Sequence, residues 1–203
     1  MTYNPLDGSL LIIGGFSESA GFNKEVLIKS KHSSSLKSWP TRGFSPLTGI
    51  YGHTTVYNSG TFYVYGGISY ASTRVEVSNN LYVLHYPTRR WSTVPKNEGT
   101  RYFLREIARK KSNFDSGRTK PFPRALHSAV STKSYMVIYG GLTNDEWKWR
   151  GPLSTLAIFV YSCGLWINLE LRQAQNLQGA AMTLDEFGDD ISKQELYILG
   201  ELT

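Results

Sequence analysis

The chain has 203 residues, of which 40% are hydrophobic and 19% are charged, with a net charge of +6. This balance is typical of a globular protein; it excludes a disordered chain, and no apolar run approaches the roughly 20 residues of a membrane-spanning helix. Nineteen Gly, 13 Tyr, 9 Phe and 5 Trp favour strands over helices.

In chain order, an apolar strand that ends in glycine recurs at residues 10–13, 62–65, 136–139 and 196–199. The first three copies end in glycine pairs: Gly14-Gly15, Gly66-Gly67 and Gly140-Gly141. A tryptophan follows the first glycine of each pair by 25, 25 and 26 residues, at Trp39, Trp91 and Trp166. Three spacings that agree within one residue indicate an internal repeat.

Further matches extend the repeat on both sides of the glycine pairs. His53 and His127 each stand 13 residues before a first glycine, in similar His-Ser/Thr-x-Val strands, and residues 179–182 form a degenerate copy. The strands 81–84 and 156–159 each begin ten residues before a tryptophan. Each repeat therefore predicts four strands: one with the histidine, one ending in the glycine pair, a third, and one near the tryptophan.

The spacing of the copies predicts how these sheets are arranged. First glycines are 52, 74 and 60 residues apart, against roughly 50 for a Kelch repeat. One such sheet cannot bury both of its faces, so several stack around an axis as blades. We predict an all-β fold over residues 1–203, a partial Kelch-type β-propeller of about three four-stranded blades plus the start of another. An insertion occupies about residues 97–118 between blades.

The pattern also predicts where the chain begins and stops within the repeat. We expect it to begin just before the second strand of one blade and to stop just after the second strand of another. A propeller usually closes with ~4–8 blades. The sequence thus has the pattern of a fragment or of an incomplete gene product.

Beyond the Kelch pattern, the sequence resembles the attractin family. The resemblance is carried by three stretches: Gly49–Tyr57, Leu84–Trp91 and Pro121–Ala129. The insertion around Arg105–Lys111 also resembles an insertion at the same place in that family. It implies the extracellular part of a large single-pass membrane receptor or co-receptor, which binds protein partners. Such relatives carry more cysteine near the blade strands. His85 and Tyr86 stand where a relative has Cys, which leaves Cys163 without the family disulfide.

Three side chains invite a catalytic or metal-binding interpretation. His53 and His127 recur at matched positions, which favours a structural role in fixing loop backbone. Cys163 ends a predicted strand with no histidine near it in sequence, which favours a packed thiol or a cysteine that pairs outside this chain. The acidic stretch 185–190 resembles a calcium loop only loosely and is typical of a solvated turn. We therefore predict no catalytic residue, no cofactor and no bound metal.

The basic insertion is the candidate partner-binding element. Residues 96–120 contain eight Lys or Arg and three Asp or Glu. We single out four of them: Arg105, Arg109, Lys110 and Lys111. The stretch 101–111 fits either a short helix or a solvated loop. Its charge fits an acidic protein or a glycosaminoglycan. Charge confined to one segment does not predict a nucleic-acid groove, and no part of the chain predicts membrane contact.

Three functional hypotheses follow. The leading one is a non-catalytic protein-interaction propeller from the ectodomain of an attractin-like membrane protein. The second is an intracellular Kelch adaptor that presents substrates to a ubiquitin ligase, in which case the protein is cytoplasmic. The third is a fragment of a Kelch-fold oxidase. Cysteine-rich modules upstream would favour the first, a helical BTB-type domain the second, and copper ligands in further blades the third.

Overall fold

The computed structural model describes residues 1–45, 49–71, 74–94, 120–145, 148–150, 155–170, 180–185 and 195–199. All regular secondary structure in these ranges is β-strand. The described residues fall into two compact units. The first unit comprises residues 1–96 with Phe122–Ala125, and the second comprises 97–121 with 126–203.

The first unit begins with a four-stranded antiparallel blade and a small hairpin. The strands, in chain order, are β1 (Thr2–Asn4), β2 (Ser9–Ile13), β3 (Phe16–Ser17), β4 (Gly21–Phe22), β5 (Val26–Lys29) and β6 (Lys37–Ser38). The blade has the order β1-β2-β5-β6, and β3 pairs with β4 beside it. Burial alternates along β2, because successive side chains of a strand point to opposite faces of the sheet.

The first blade corrects one prediction. Thr2–Asn4 pairs with Ser9–Leu11, so the described chain begins in a first strand and not just before a second one. This strand is three residues long and lacks the histidine motif of its counterparts. The turn at Asp7 instead brings β1 beside β2. Within this turn, the Asp7 carboxylate accepts a hydrogen bond from the Ser9 amide at 2.9 Å.

The first unit continues with a second blade. Its strands are β7 (Arg42–Gly43), β8 (Ile50–Tyr51), β9 (Thr54–Asn58), β10 (Thr61–Tyr65), β11 (Ile68–Ala71), β12 (Arg74–Val77), β13 (Leu81–His85) and β14 (Arg90–Thr93). The blade order is β7-β14-β13-β10-β9, with β7 parallel to β14 and the other pairs antiparallel. A separate three-stranded sheet, β12-β11-β8, lies beyond the glycine pair.

The second unit contains a third blade and the start of a fourth. Its strands are β15 (Ser128–Ser131), β16 (Tyr135–Tyr139), β17 (Thr143–Asp145), β18 (Lys148–Arg150), β19 (Thr155–Val160), β20 (Leu165–Glu170), β21 (Ala181–Asp185) and β22 (Glu195–Leu199). The third blade has the order β15-β16-β19-β20, while β17-β18 and β21-β22 form two-stranded sheets. Ala181 begins β21, which matches the degenerate fourth copy of the repeat.

The apolar faces of neighbouring blades form the core of each unit. In the first unit, one buried cluster joins the first two blades: Leu11, Ile13, Val26, Trp39, Ile50, Phe62, Val64, Leu84 and Trp91. In the second unit, Val137, Tyr139 and Leu156 of the third blade pack against residues of β21 and β22. Burial of these faces is the dominant stabilising term, at about 25 cal/mol per Å² of apolar area.

These sheets confirm the predicted fold class, an all-β partial propeller of three four-stranded blades and the start of another. The second blade gains β7 as a fifth strand, which the repeat did not predict. The insertion at about 97–118, and the short helix considered for 101–111, lie outside the described residues.

Candidate partner-binding surface

The glycine pairs turn the chain at the end of the second strand of each complete blade. All six glycines have φ between +64° and +108°, the left-handed region that glycine enters without steric cost. Glycine is also required at Gly14 because there is no space for a side chain: a Cβ there would lie 2.5 Å from the Ile50 carbonyl oxygen. The Gly15 amide donates to that carbonyl at 2.7 Å. The first glycine pair therefore joins the first blade to the strand that enters the second.

The second glycine pair makes a similar backbone hydrogen bond within the first unit. The Gly67 amide donates to the Arg124 carbonyl at 2.9 Å. Arg124 stands three residues before His127, as Ile50 stands three residues before His53. In the first two glycine pairs, the second glycine thus donates a backbone hydrogen bond to the residue three positions before a repeat histidine.

His53 lies between the glycine pairs of the first two blades. A Cβ on Gly67 would lie 2.8 Å from the His53 Cβ, and one on Gly14 would lie 3.1 Å from its Cε1. Burial, with a smaller effect of the chain's N-terminal charge, lowers the pKa of His53 to about 4, although a hydrogen bond to the Ile13 backbone opposes the shift. His53 is neutral at pH 7 and is held as a packing element.

The other sequence-predicted histidine and cysteine are also placed in packed surroundings. His127 is 6% exposed, directly before β15. Cys163 is a half-buried free thiol in the turn between β19 and β20, where its Sγ lies 3.9 Å from the Val160 carbonyl. Among the described residues, no three His, Cys, Asp or Glu side chains converge as metal ligands.

The three tryptophans are buried, with 7%, 2% and 8% of their surface exposed at Trp39, Trp91 and Trp166. Trp91 is the register partner of Leu84, and Trp166 is the register partner of Phe159, seven residues earlier in each case. Trp39 follows β6 and stacks on Tyr86 of the next blade at 5.0 Å between ring centroids. Each tryptophan thus lies in the outer part of its blade as an apolar contact.

Each glycine pair is followed by a two-stranded hairpin or strand pair: β3-β4, β11-β12 and β17-β18. In the first unit, the rings of Phe16 and Phe22 of β3-β4 lie 5.2 Å apart and 5.6 and 5.7 Å from the ring of Tyr51 of β8, between centroids. Phe16 is 53% exposed. Loops and hairpins carried on a rigid scaffold are common binding elements, so these are the first candidate surface.

A second candidate surface lies at the outer edge of the second blade. Arg42 of β7 is the register partner of Arg90 of β14, and Arg89 precedes Arg90 in the adjoining turn. All three arginines are exposed. Sequence reasoning attributed the charge excess to the insertion and missed these residues. The available signal was that residues 26–45 and 81–94 contain six Lys or Arg and no Asp or Glu.

The four predicted partner-binding residues of the insertion, Arg105, Arg109, Lys110 and Lys111, lie outside the described residues. Their role as partner contacts remains a prediction. Within the described ranges, no helix is long and apolar enough to cross a membrane.

Comparison with known proteins agrees with the blade architecture. The family model described as Attractin/LZTR1 beta-propeller matches residues 2–200. Multiple epidermal growth factor-like domains protein 8 of Mus musculus is 30% identical over 162 residues, which cover 78% of this chain and 5% of that protein. Its Homo sapiens counterpart is 25% identical over 209 residues, covering 83% of this chain and 7% of that protein.

A different kind of relative also matches. Kelch-like protein 38 of Homo sapiens is 24% identical over 212 residues, covering 90% of this chain and 34% of that protein. The chain therefore spans a small part of the curated relatives that it matches. With the family model matching almost its whole length and three blades built on one repeat, the chain belongs to the Attractin/LZTR1 β-propeller family.

Proposed function

We propose that this chain is a non-catalytic protein-interaction propeller from the extracellular part of an attractin-like single-pass membrane receptor or co-receptor. The observation that carries the proposal is the repeated blade, in which each glycine pair opens onto a strand pair and the first two glycine pairs are held by a backbone hydrogen bond. A rigid scaffold that presents several loops from equivalent positions suits recognition of a protein surface.

The side chains that could carry chemistry support a binding role over catalysis. His53 is kept neutral by burial, which lowers its pKa to about 4. The Cys163 thiol donates to the Val160 backbone carbonyl in the turn between β19 and β20, which favours a packed thiol. The proposal accordingly includes no cofactor and no reaction.

The basic insertion belongs to the proposal as a recognition element. Its Arg105, Arg109, Lys110 and Lys111 offer positive charge to an acidic protein or a glycosaminoglycan. Nucleic acid and membrane are not part of the proposal.

The test is capture of a partner by the parent protein in living cells. A tag beside the propeller, labelled by an antibody on unpermeabilised cells, reports whether the propeller is outside the cell. Cross-linking followed by mass spectrometry then identifies what the propeller contacts. We expect surface labelling and a reproducible protein partner that unlabelled competitor displaces.

An intracellular Kelch adaptor is the second candidate, and the match to Kelch-like protein 38 favours it. It predicts labelling only after permeabilisation, with subunits of a ubiquitin ligase among the cross-linked proteins. A propeller that captures no saturable partner in either compartment would contradict both candidates.

A further inference from the structure

Two arginines are neighbours at the outer edge of the second blade. Arg42 and Arg90 are register partners in the parallel strands β7 and β14, and the Arg42 amide donates to the Arg89 carbonyl at 2.9 Å. Neighbouring strands lie about 4.8 Å apart, and residues in register project to the same face. Like charges so placed destabilise a sheet unless an anion lies between them. Arg42, Arg89 and Arg90 are named the arginine edge below.

Arg89 adopts a left-handed backbone conformation, which a glycine adopts at the same position of the third blade. It has φ of +54°, while Gly164, the last turn residue at the same place in the third blade, has φ of +67°. Glycine enters this region freely, whereas arginine is strained there. The Arg89 guanidinium carbon lies 5.2 Å from the centroid of the Trp39 ring, a cation–π contact that fixes its position. Retained strain at an exposed residue is a reason to infer a function.

The surroundings of the arginine edge combine positive charge with exposed apolar surface. Residues 26–45 and 81–94 supply no Asp or Glu. Asp7 accepts the Tyr86 hydroxyl at 2.5 Å and the Ser9 amide at 2.9 Å, so its carboxylate is already engaged. Phe44, two residues after Arg42, is 69% exposed, and its ring stacks on Tyr82 at 6.5 Å.

We propose that the arginine edge docks an extended acidic segment of a partner protein. Carboxylates of that segment bind Arg42 and Arg90, since guanidinium groups bind carboxylates through paired hydrogen bonds. An apolar side chain of the same segment covers Phe44. Strand β7 ends its sheet among the described strands, so its outer backbone can pair with an extended peptide.

A polypeptide suits this surface better than a sulfated polysaccharide does. Phe44 presents apolar area beside the cations, and only a chain with both carboxylates and apolar side chains covers both. The inference rests on the proposed function and names the chemistry of one partner segment.

The experiment uses the full 203-residue chain and a fluorescent peptide of alternating Asp and Leu, with binding followed by anisotropy. We expect the variant R42S/R90S to bind the peptide about tenfold more weakly, which corresponds to about 1.4 kcal/mol. R42K/R90K, which keeps the charge but loses the paired hydrogen bonds, is expected to fall between this variant and the wild type. Thermal melts confirm that each variant is folded.

The matched control is K24S, which removes one positive charge from an exposed position between β4 and β5 in the first blade, and it is compared with R42S, which removes one from the arginine edge. Binding by K24S is expected to weaken by about twofold or less, because the charge of an exposed side chain is screened by salt. Equal weakening by K24S and R42S would overturn the proposal, since net charge alone would then explain binding.

Two further probes separate the partner classes. A peptide with Ser in place of Leu is expected to bind more weakly, as is F44S with the original peptide. Binding of a heparin oligosaccharide in preference to the Asp-Leu peptide would overturn the choice of an acidic protein. If R42S/R90S still captures the cellular partner and the peptide never binds, the arginine edge is not the docking site, while the proposed function stands. If no cellular partner is captured at all, the proposed function itself is contradicted.

Discussion

Gly14 and His53 show at the residue scale why blades of this type need a glycine at the end of the second strand. Backbone of one blade and backbone entering the next come within hydrogen-bonding distance there, with 2.7 Å between the Gly15 amide and the Ile50 carbonyl. No room is left for a Cβ at Gly14. His53 then fills the remaining space between Gly14 and Gly67.

The close approach at Gly14 can be separated from its backbone conformation. Gly14 and Gly21 have φ of +64° and +71°, but a Cβ would meet the Ile50 oxygen at 2.5 Å in the first case and nothing within 4 Å in the second. Alanine in a left-handed conformation costs roughly 1–2 kcal/mol. We expect G21A to lose about that much stability, and G14A to lose about 1–3 kcal/mol more because of overpacking.

Urea denaturation of the two variants measures this difference. Equal losses for G14A and G21A would show that the contact with Ile50 adds nothing to the cost of the left-handed conformation.

His53 makes stability depend on pH. Its pKa is lowered from 6.5 to about 4 in the folded chain, first by burial, so the unfolded state binds a proton more readily between these values. Stability from this group is therefore present above pH 6.5 and is lost as the pH falls toward 4. Between pH 7 and pH 5 we expect a loss of about 2 kcal/mol.

The check is urea denaturation at a series of pH values, with H53Q as the variant. Glutamine retains a donor for the Ile13 backbone but does not titrate, so its curve should lack this part of the pH dependence. An unchanged slope in H53Q would assign the effect to other groups.

At the scale of elements, the sequence predicted the strands that carry a recurring signal. The second, third and fourth strands of the blades, such as β10, β13 and β14, follow from the glycine pairs and tryptophans. It could not predict β1 or β7, which are three and two residues long. Such short strands have no periodicity of their own, and their pairing is set by neighbouring backbone.

The candidate site was predicted less completely for a related reason. Arg42 and Arg90 are 48 residues apart in sequence and become neighbours only through the parallel pairing of β7 with β14. The left-handed backbone of Arg89 is signalled in the sequence only by its counterpart in the repeat, Gly164, and not by the arginine itself. The lack of Asp and Glu in residues 26–45 and 81–94 points to a basic surface only once the blades show that these segments lie together.

The basic insertion gives a prediction at the same scale. Replacing Arg105, Arg109, Lys110 and Lys111 with Ser should leave stability unchanged, because a long surface insertion adds only about 0.6 kcal/mol of closure entropy per doubling of length. Partner binding should fall and should lose part of its salt dependence. The measurement pairs thermal melts with partner affinity at low and high salt.

Two results would contradict this prediction. Unfolding of the fourfold variant would show that the segment packs into the core. Unchanged partner affinity would show that the insertion is not a recognition element.

At the scale of the whole molecule, repeated construction explains how one scaffold can present different surfaces from blade to blade. Neighbouring blades bury their apolar faces against one another, as the cluster around Phe62 and Trp91 shows in the first unit. Hairpins and outer edges are then free to differ between blades. The arginine edge belongs to the second blade alone among the described blades, since Leu165 stands in the third where Arg90 stands in the second.

Mapping where a captured partner contacts the parent protein tests directly whether the propeller is a protein-interaction surface. Cross-linked complexes from cells, digested and analysed by mass spectrometry, give residue pairs between the propeller and its partner. We expect saturable cross-links within residues 2–200, on the hairpins, the outer edge of the second blade or the insertion, and no substrate turnover. Cross-links that fall only outside this range, in a protein whose propeller is folded, would contradict it.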